Sequence, residues 1–389
     1  MPVVNRIAEF HADMTGWRRH FHANPELGFE EFGTAAYVAE RLAEFGVDEV
    51  HEGIGRTGVV AVINGRPGKA RIGLRADMDA LPIQEQNDFA HASKVPGKMH
   101  ACGHDGHTAM LLGAARYLAE TRNFTGTLYL FFQPAEEGGG GAKVMMDEGL
   151  FDRFPAEEVY GLHNWPGIPV GSFGVCSGPA MAASDEFTIH LTGKGGHAAM
   201  PHLAVDPVTG GAAIVQAAQT IVSRQVDPLD NAVISITRFL AGDTFNVIPA
   251  TALLNGTVRT FKPETRDFCE RRLREVVDGI ARAMGLESTF AYRRGYPPTV
   301  NHVRQSTLAG DAAAEIVGDD KVDRNPAPVM GAEDFAYMLE ARPGNYIWMG
   351  TGDATHDRSV HHPAYDFNDD ALPIGASYWV RLVERQMTS

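Results

Sequence analysis

The sequence predicts an α/β chain of two domains, one layered around a mixed sheet and the other inserted into it with the order βαββαβ. Three observations carry this. The chain has 389 residues, beyond the roughly 250–300 at which a single hydrophobic core stops growing. Strand-like runs alternate with helical runs up to about residue 184 and again after 298, as when helices cover a sheet. Between 185 and 298 the order is strand, helix, strand, strand, helix, strand, the ferredoxin-like arrangement. The layered domain is therefore expected to be discontinuous, built from 1–184 and 299–389 around an insertion at 185–298.

Taken in order, Ile7, Phe10 and Met14 stand at helical spacing, and a second helix fits residues 34–45. Residues 58–63 and 71–75 read as two strands of a hairpin about the turn NGRPG. A helix over 106–120, the strand TLYLFF, a Gly-rich turn and the strand EVYGLH follow. The insertion comprises EFTIHLTG, a helix over 206–223, AVISITRFL, ATALLNGTVRT, a helix over 264–284 and STFAYRR. Beyond it come a helix over 305–317, a helix opening at Ala332, the strand YIWMG and a last helix after Asp369.

Composition narrows the function. Hydrophobic residues make up 44% and charged residues 21%, a globular balance that excludes a disordered or fibrous chain. The net charge of -15, with no cluster of Lys and Arg, excludes a nucleic-acid partner. Three cysteines, Cys102, Cys176 and Cys269, are too few for a disulfide scaffold and point to a reducing compartment. The N-terminus lacks the apolar centre of a signal peptide, and no run of about 18 apolar residues suits a membrane, so the cytoplasm is the expected location.

The chemistry concentrates beyond predicted strand ends, where α/β sheets place ligands. MHACGHDGHT sets Cys102, His104, Asp105 and His107 immediately before an apolar helix, and thiolate, imidazole and carboxylate together suit zinc or another first-row divalent ion. A buried structural cysteine with capping histidines, or a Cys/His nucleophile pair, fits the cluster alone. FFQPAEEGGGGA ends a strand in Glu136 and Glu137, which on an extended segment point opposite ways, one to a metal and one to substrate water. EVYGLHNW ends in His163, and SVHHPAYDFND holds His361 and His362. RADMDALP adds Asp77 and Asp79, either a turn or a carboxylate that orients a metal-bound imidazole, the part given to Asp79.

In order along the chain, WRRHFHANPELGFEE, RADMDALPI, MHACGHDGHT, FFQPAEEGGGGA, GLHNWPGIPVG, GKGGHAAMPH, NVIPATALLNGTVRT, GAEDFAYML and HHPAYDFND resemble the amidohydrolase and carboxypeptidase family of co-catalytic metallopeptidases. The branch is that of hippurate hydrolases, N-acyl-amino-acid hydrolases and auxin-conjugate hydrolases. The resemblance implies two divalent ions per subunit, zinc, manganese or cobalt, bridged by Cys102. His104 and Glu137 complete one site, and His163 and His361 the other. It implies Glu136 as general base, Asn246 and Arg259 as holders of a substrate carboxylate, and a homodimer through the inserted domain, whose His197 reaches the partner's active site. The wider family bridges its metals with aspartate and has a histidine ligand where Asp77 stands. The implied reaction is hydrolysis of the amide bond of a small N-acyl amino acid. A dipeptidase of the same family, a non-catalytic small-molecule binding protein and a Cys102 thiol hydrolase are the competing readings.

Overall fold

The structure, a computed structural model, describes residues 3–388. The chain divides into two compact units, one of Met1–Ala180, Val300–Ala327 and Asp334–Ser389, the other of Met181–Thr299 and Pro328–Glu333. The first begins with α1 (Asn5–Glu9), α2 (His11–Ala23), α3 (Phe32–Glu44), β1 (Glu49–Ile54), β2 (Gly58–Asn64) and β3 (Arg66–Asp77). It continues through α4 (His104–Thr121), β4 (Thr125–Gln133), α5 (Gly141–Asp147), α6 (Leu150–Arg153), β5 (Glu158–Pro169), β6 (Phe173–Gly174) and β7 (Gly178–Met181). The second unit holds β8 (Ala183–Thr192), β9 (Gly196–His197), α7 (Pro207–Arg224), β10 (Ala232–Leu240), β11 (Val247–Ile248), β12 (Thr251–Thr260), α8 (Pro263–Ala283) and β13 (Glu287–Arg294). The chain returns by β14 (Thr299–Asn301) to α9 (Val303–Val317), β15 (Val322–Asp323), α10 (Ala336–Ala341), β16 (Gly344–Gly352) and α11 (Leu372–Gln386).

In the first unit eight strands form one mixed sheet, ordered β1-β2-β4-β3-β5-β16-β6-β15. Its centre, β4, β3, β5 and β16, is parallel, while β1 and β2 run antiparallel at one side. Central parallel strands are covered on both faces and so read as unbroken apolar runs. TLYLFF in β4 and NYIWMG in β16 do so, and nearly every residue of both is buried. Ile7, Phe10 and Met14 face this core as their spacing predicts, although the helix they mark is divided at Phe10 into α1 and α2.

Two expectations are corrected here. The segments 58–63 and 71–75 do not form a hairpin, because β4 lies between β2 and β3, antiparallel to the first and parallel to the second. The connecting residues wrap the start of β4 instead: Gly65 N donates to Gly126 O at 2.9 Å and Arg66 N to Phe124 O at 2.7 Å. β4 thus separates the two segments, and each pairs with it. The helix expected to open at Ala332 begins at Ala336. Asp334, which would have lain in its first turn, accepts hydrogen bonds from Arg75, Gln133 and the Ala142 N–H.

The second unit is ferredoxin-like, with the antiparallel order β10-β12-β8-β13. Along β8, Phe187, Ile189 and Leu191 are buried at every second position and meet Ile214 and Ile221 of α7 and Leu273 and Val277 of α8 in one core. Asp206 caps α7 by accepting from Val208 N at 2.8 Å, ahead of Pro207 at the first helical position. Such a cap contributes about 1 kcal/mol. Among the described residues no helix is long and apolar enough to cross a membrane.

Candidate metal centre

The connections of the first unit deliver five potential metal donors to one place. Cys102 and Gly103 lead into α4, with Gly103 at φ 100° in the left-handed region. A Cβ there would lie 2.2 Å from Asn164 Oδ1 and 2.8 Å from the Tyr365 hydroxyl, so glycine is required both for the turn and for that approach. The turn lets Cys102 and His104 face the same point. His163 comes from β5, which runs on to Pro169 instead of ending at the histidine. His361, at φ 67°, is fastened by its backbone N–H to Ala101 O at 2.7 Å, beside Cys102.

The ligating atoms of Cys102, His104 and His163 lie within 4.8 Å of one another, and so do those of Cys102, Glu137 and His361. The Cys102 sulfur is common to both groups, which corrects the expected pairing: His163, not Glu137, stands with His104, and Glu137, not His163, stands with His361. The sulfur is 3.4 Å from His163 Nε2, and His361 Nε2 is 3.1 Å from Glu137 Oε1. A third group joins His104, Glu136 and Glu137. Glu136 and Glu137 therefore do not diverge as neighbours on a strand. β4 stops at Gln133, and Ala135 at φ 50° opens a turn that sends both carboxylates toward His104.

These residues fit a bound cation on two counts. His104 Nδ1 faces Asp79 Oδ1 at 3.1 Å and Asp79 O at 2.9 Å, which leaves Nε2 as the inward lone pair. His163 Nδ1 faces Asn164 O at 2.7 Å and likewise presents Nε2. Imidazoles that ligate metals are held in this way, the outer nitrogen donating to oxygen. In addition, His104 Nε2 and Glu137 Oε1 are buried without a hydrogen-bond partner, the contact of Glu137 with His361 having the distance of an ion pair but not hydrogen-bond geometry. Polar atoms left so are costly unless a cation completes them.

The field has the matching sign. Burial opposes a charge on His104, yet Asp77, Asp79 and Glu137 outweigh it and raise its pKa to about 10. The negative potential that holds a proton there also attracts a metal ion. Burial, reinforced by Glu137, Glu136 and Asp77, pushes the Cys102 thiol up. Burial and then His107 drive His163 down, which leaves it a neutral ligand. Asp77 has both oxygens engaged. His107 Nδ1 is 2.6 Å from Oδ1, and Arg75 donates to Oδ2 at 2.6 Å, while His104 Nε2 stands 3.7 Å from Oδ2. Against the cost of burial, Arg75, His104 and His107 hold its carboxyl well below the usual range.

Asp79 ties two candidate ligands together, since besides meeting the His104 ring it accepts from Glu137 N at 2.9 Å through Oδ2. His197, Asn246 and Arg259 belong to the other unit. There β9 pairs with β11 so that His197 faces Val247, and Ala198 N donates to Asn246 O at 3.1 Å, making His197 and Asn246 neighbours on an exposed ribbon. Arg259, on β12, is half-buried and donates to the Thr257 hydroxyl and to Val258 O.

The sequence reading passed over the residues that brace this centre. Arg18 is wholly buried and reaches Asp105 at 3.5 Å, Asp366 at 2.9 Å and Asp369 at 2.7 Å, joining the start of α4 to the segment that follows His361. His22 Nδ1 meets Asp105 at 2.9 Å. Asn164 spans His107 Nε2 at 2.7 Å and the Tyr365 hydroxyl at 2.8 Å. The available signal was Arg18 and His22 at i, i+4 on the helix face that also carries Met14 and Phe21, since charge on a buried apolar face demands a partner.

Comparison with known proteins agrees with this geometry. The chain is 42% identical to the hippurate hydrolase of Campylobacter jejuni over 382 residues, 98% of each protein. It is 43% identical to the N-acetyl-L-cysteine deacetylase of Bacillus subtilis over 377 residues, 96% of this chain and 88% of that one. Among solved structures it superposes on Bacillus subtilis YXEP, described as a dinuclear metal binding peptidase from the M20 family, with a TM-score of 0.85 and 36% identity over 98% of this chain and 99% of that one. The profile of Peptidase family M20/M25/M40 matches residues 73–385. With that match and relatives this similar along almost their full length, the chain belongs to Peptidase family M20/M25/M40.

Proposed function

We propose that this protein is a metal-dependent amidohydrolase that cleaves N-acyl amino acids into a carboxylic acid and a free amino acid. The observation that carries this is the convergence of four further donors, His104, His163, Glu137 and His361, on the Cys102 sulfur, with the carboxylate of Glu136 within 4.8 Å of a His104 nitrogen. Relatives named hippurate hydrolase, N-acetyl-L-cysteine deacetylase and N-acyl-L-amino acid amidohydrolase support the substrate class.

Cys102 would be shared by two divalent ions, zinc, manganese or cobalt, with His104 and His163 on one and Glu137 and His361 on the other. The two donor groups that share the Cys102 sulfur, and the 3.1 Å approach of His361 to Glu137, support that division. When bound, such ions act as Lewis acids that polarise the amide carbonyl and lower the pKa of water to about 7. Glu136 takes a proton from the attacking water on a carboxylate oxygen and passes it to the nitrogen of the leaving amine. Asp77, paired with Arg75, would keep the floor of the centre negative without giving up a lone pair.

The inserted domain would join two copies, bringing His197 to the partner's reaction centre to steady the oxyanion, while Asn246 and Arg259 hold the substrate carboxylate. Replacing Arg259 by Ala is expected to raise KM by about tenfold or more, with metal content unchanged. Steady-state kinetics on free acids and their methyl esters check it, and unchanged preference for the acid removes Arg259 from that task. Mixing inactive His197→Ala with inactive Glu136→Gln protein should regenerate activity in mixed dimers, each carrying one intact composite site. Mixtures that stay inactive once subunits have exchanged would exclude a shared site.

The experiment that tests the function is metal analysis of the purified protein, with reconstitution by zinc, manganese or cobalt against hippurate, N-acetyl amino acids and dipeptides. Cleavage of the acylated substrates supports the proposal. Preferential cleavage of dipeptides would move the chain to a dipeptidase role, and binding without turnover would make it a carrier.

A further inference from the structure

The opening motif, WRRHFHANPELGFEE, supplies no metal donor, yet it ends in a carboxylate set against the turn that carries Glu136 and Glu137. Glu31 is wholly buried. It occupies the N-cap position of α3, where an acidic side chain would ordinarily turn back onto its own helix, and it makes no such bond. Glu26 does that work, accepting from Gly33 N at 3.0 Å and Thr34 N at 2.7 Å. Glu31 points the other way: Oε1 accepts from Ala135 N at 2.8 Å and Oε2 from the Thr57 hydroxyl at 2.6 Å.

Ala135 is where such an anchor matters. Its φ of 50° is one that alanine holds only when its surroundings impose it. Gly28 and Gly139 close in around it, and a Cβ on either would stand 2.9 Å and 2.7 Å from the Ala135 Cβ. Ala135 O accepts from Gly141 N at 3.0 Å, and Asp79 takes Glu137 N at 2.9 Å. The turn is thus fastened at Ala135 by Glu31 and at Glu137 by Asp79, with Glu136 between the two fixings. Burial pushes the Glu31 carboxyl up to about 7 against the bonds from Thr57 and Ala135, so the fold retains an acid at a place that penalises its charge.

We propose that Glu31 is a positioning residue for the reaction assigned above, holding the left-handed Ala135 turn through its backbone N–H and so aiming the base Glu136 and the ligand Glu137. This rests on the proposed hydrolase function, but the part concerning Glu137 can be read without turnover.

The test compares Glu31→Leu, Glu31→Gln and Glu31→Asp in the full chain, measuring kcat, KM and the affinity for zinc titrated against a chromogenic chelator. Leu fills the space without accepting a hydrogen bond, and is expected to lower kcat by about 100-fold at nearly constant KM and to weaken zinc by about tenfold. Gln still offers an oxygen to Ala135 and its amide to the Thr57 hydroxyl, and should recover most of both losses. Adding Ala135→Gly to Glu31→Leu should restore part of kcat, since glycine enters the left-handed region unaided. Unchanged kcat and zinc affinity in Glu31→Leu would overturn the proposal, and so would Glu31→Gln as impaired as Glu31→Leu, which would assign the effect to charge. If the Leu variant does not fold, Glu31→Asp decides. It keeps the charge but falls one methylene short of Ala135, and wild-type kcat there rejects the anchor. If the protein hydrolyses none of the substrates, zinc affinity alone tests the aim of Glu137, which keeps failure of the anchor distinct from failure of the assigned reaction.

Discussion

Glu136→Gln protein is expected to bind its metals as the unaltered chain does and to turn over about 10²–10⁴ times more slowly, the range over which a positioned general base contributes. The amide keeps the size of the side chain and loses its capacity to take up a proton. Glu136 is buried and shares its turn with Glu137, so a near-isosteric change disturbs the neighbouring donor little. Metal content by elemental analysis and kcat on a cleaved N-acyl amino acid measure the two quantities separately. Near-normal turnover would transfer the proton to another group. Loss of metal along with activity would make Glu136 a ligand, a part its membership of a donor group with His104 and Glu137 also allows.

Cys102→Ala should have the larger structural consequence. The sulfur belongs to both groups of donors, so its removal strips a ligand from each side of the centre at once. Expected results are fewer than two ions per chain and a fall in activity of about three orders of magnitude or more, because the lowering of the water pKa and the stabilisation of charge by the ions are both lost. Cys102→Asp, which restores a bridging carboxylate, should regain metal in part. Chelator treatment of the unaltered protein should abolish activity reversibly. Activity that survives chelation would support a thiol hydrolase instead. The surroundings of Cys102 oppose that reading, since burial and then Glu137, Glu136 and Asp77 push the thiol up and a thiolate there needs a cation beside it.

What the sequence disclosed, it disclosed through local pattern. β4 and β16 were legible because strands covered on both faces are unbroken apolar runs, and α7 because Asp206 and Pro207 mark its start. Short motifs of Cys, His and Glu beside such strands marked the candidate donors, and the resemblance to a family chose five among them. The intervening place of β4 was hidden, since β2 and β3 are joined by a connection of hairpin length and nothing in that connection reports a strand some fifty residues later. The common direction of Glu136 and Glu137 was hidden for a related reason. Alanine seldom adopts a positive φ, and Ala135 does so under constraints from Gly28, Glu31 and Gly139, each unremarkable when read alone.

The unit that holds the donors is completed only by the C-terminal part of the chain. During translation, Cys102, His104, Glu137 and His163 leave the ribosome together, whereas His361 trails by roughly two hundred residues, an interval of about 10–40 s at ordinary elongation rates. Until His361 emerges, a nascent chain is one donor short of the ligand set proposed above. A product that stops before His361 is therefore expected to be inactive on N-acyl amino acids, since it lacks one donor of the proposed set.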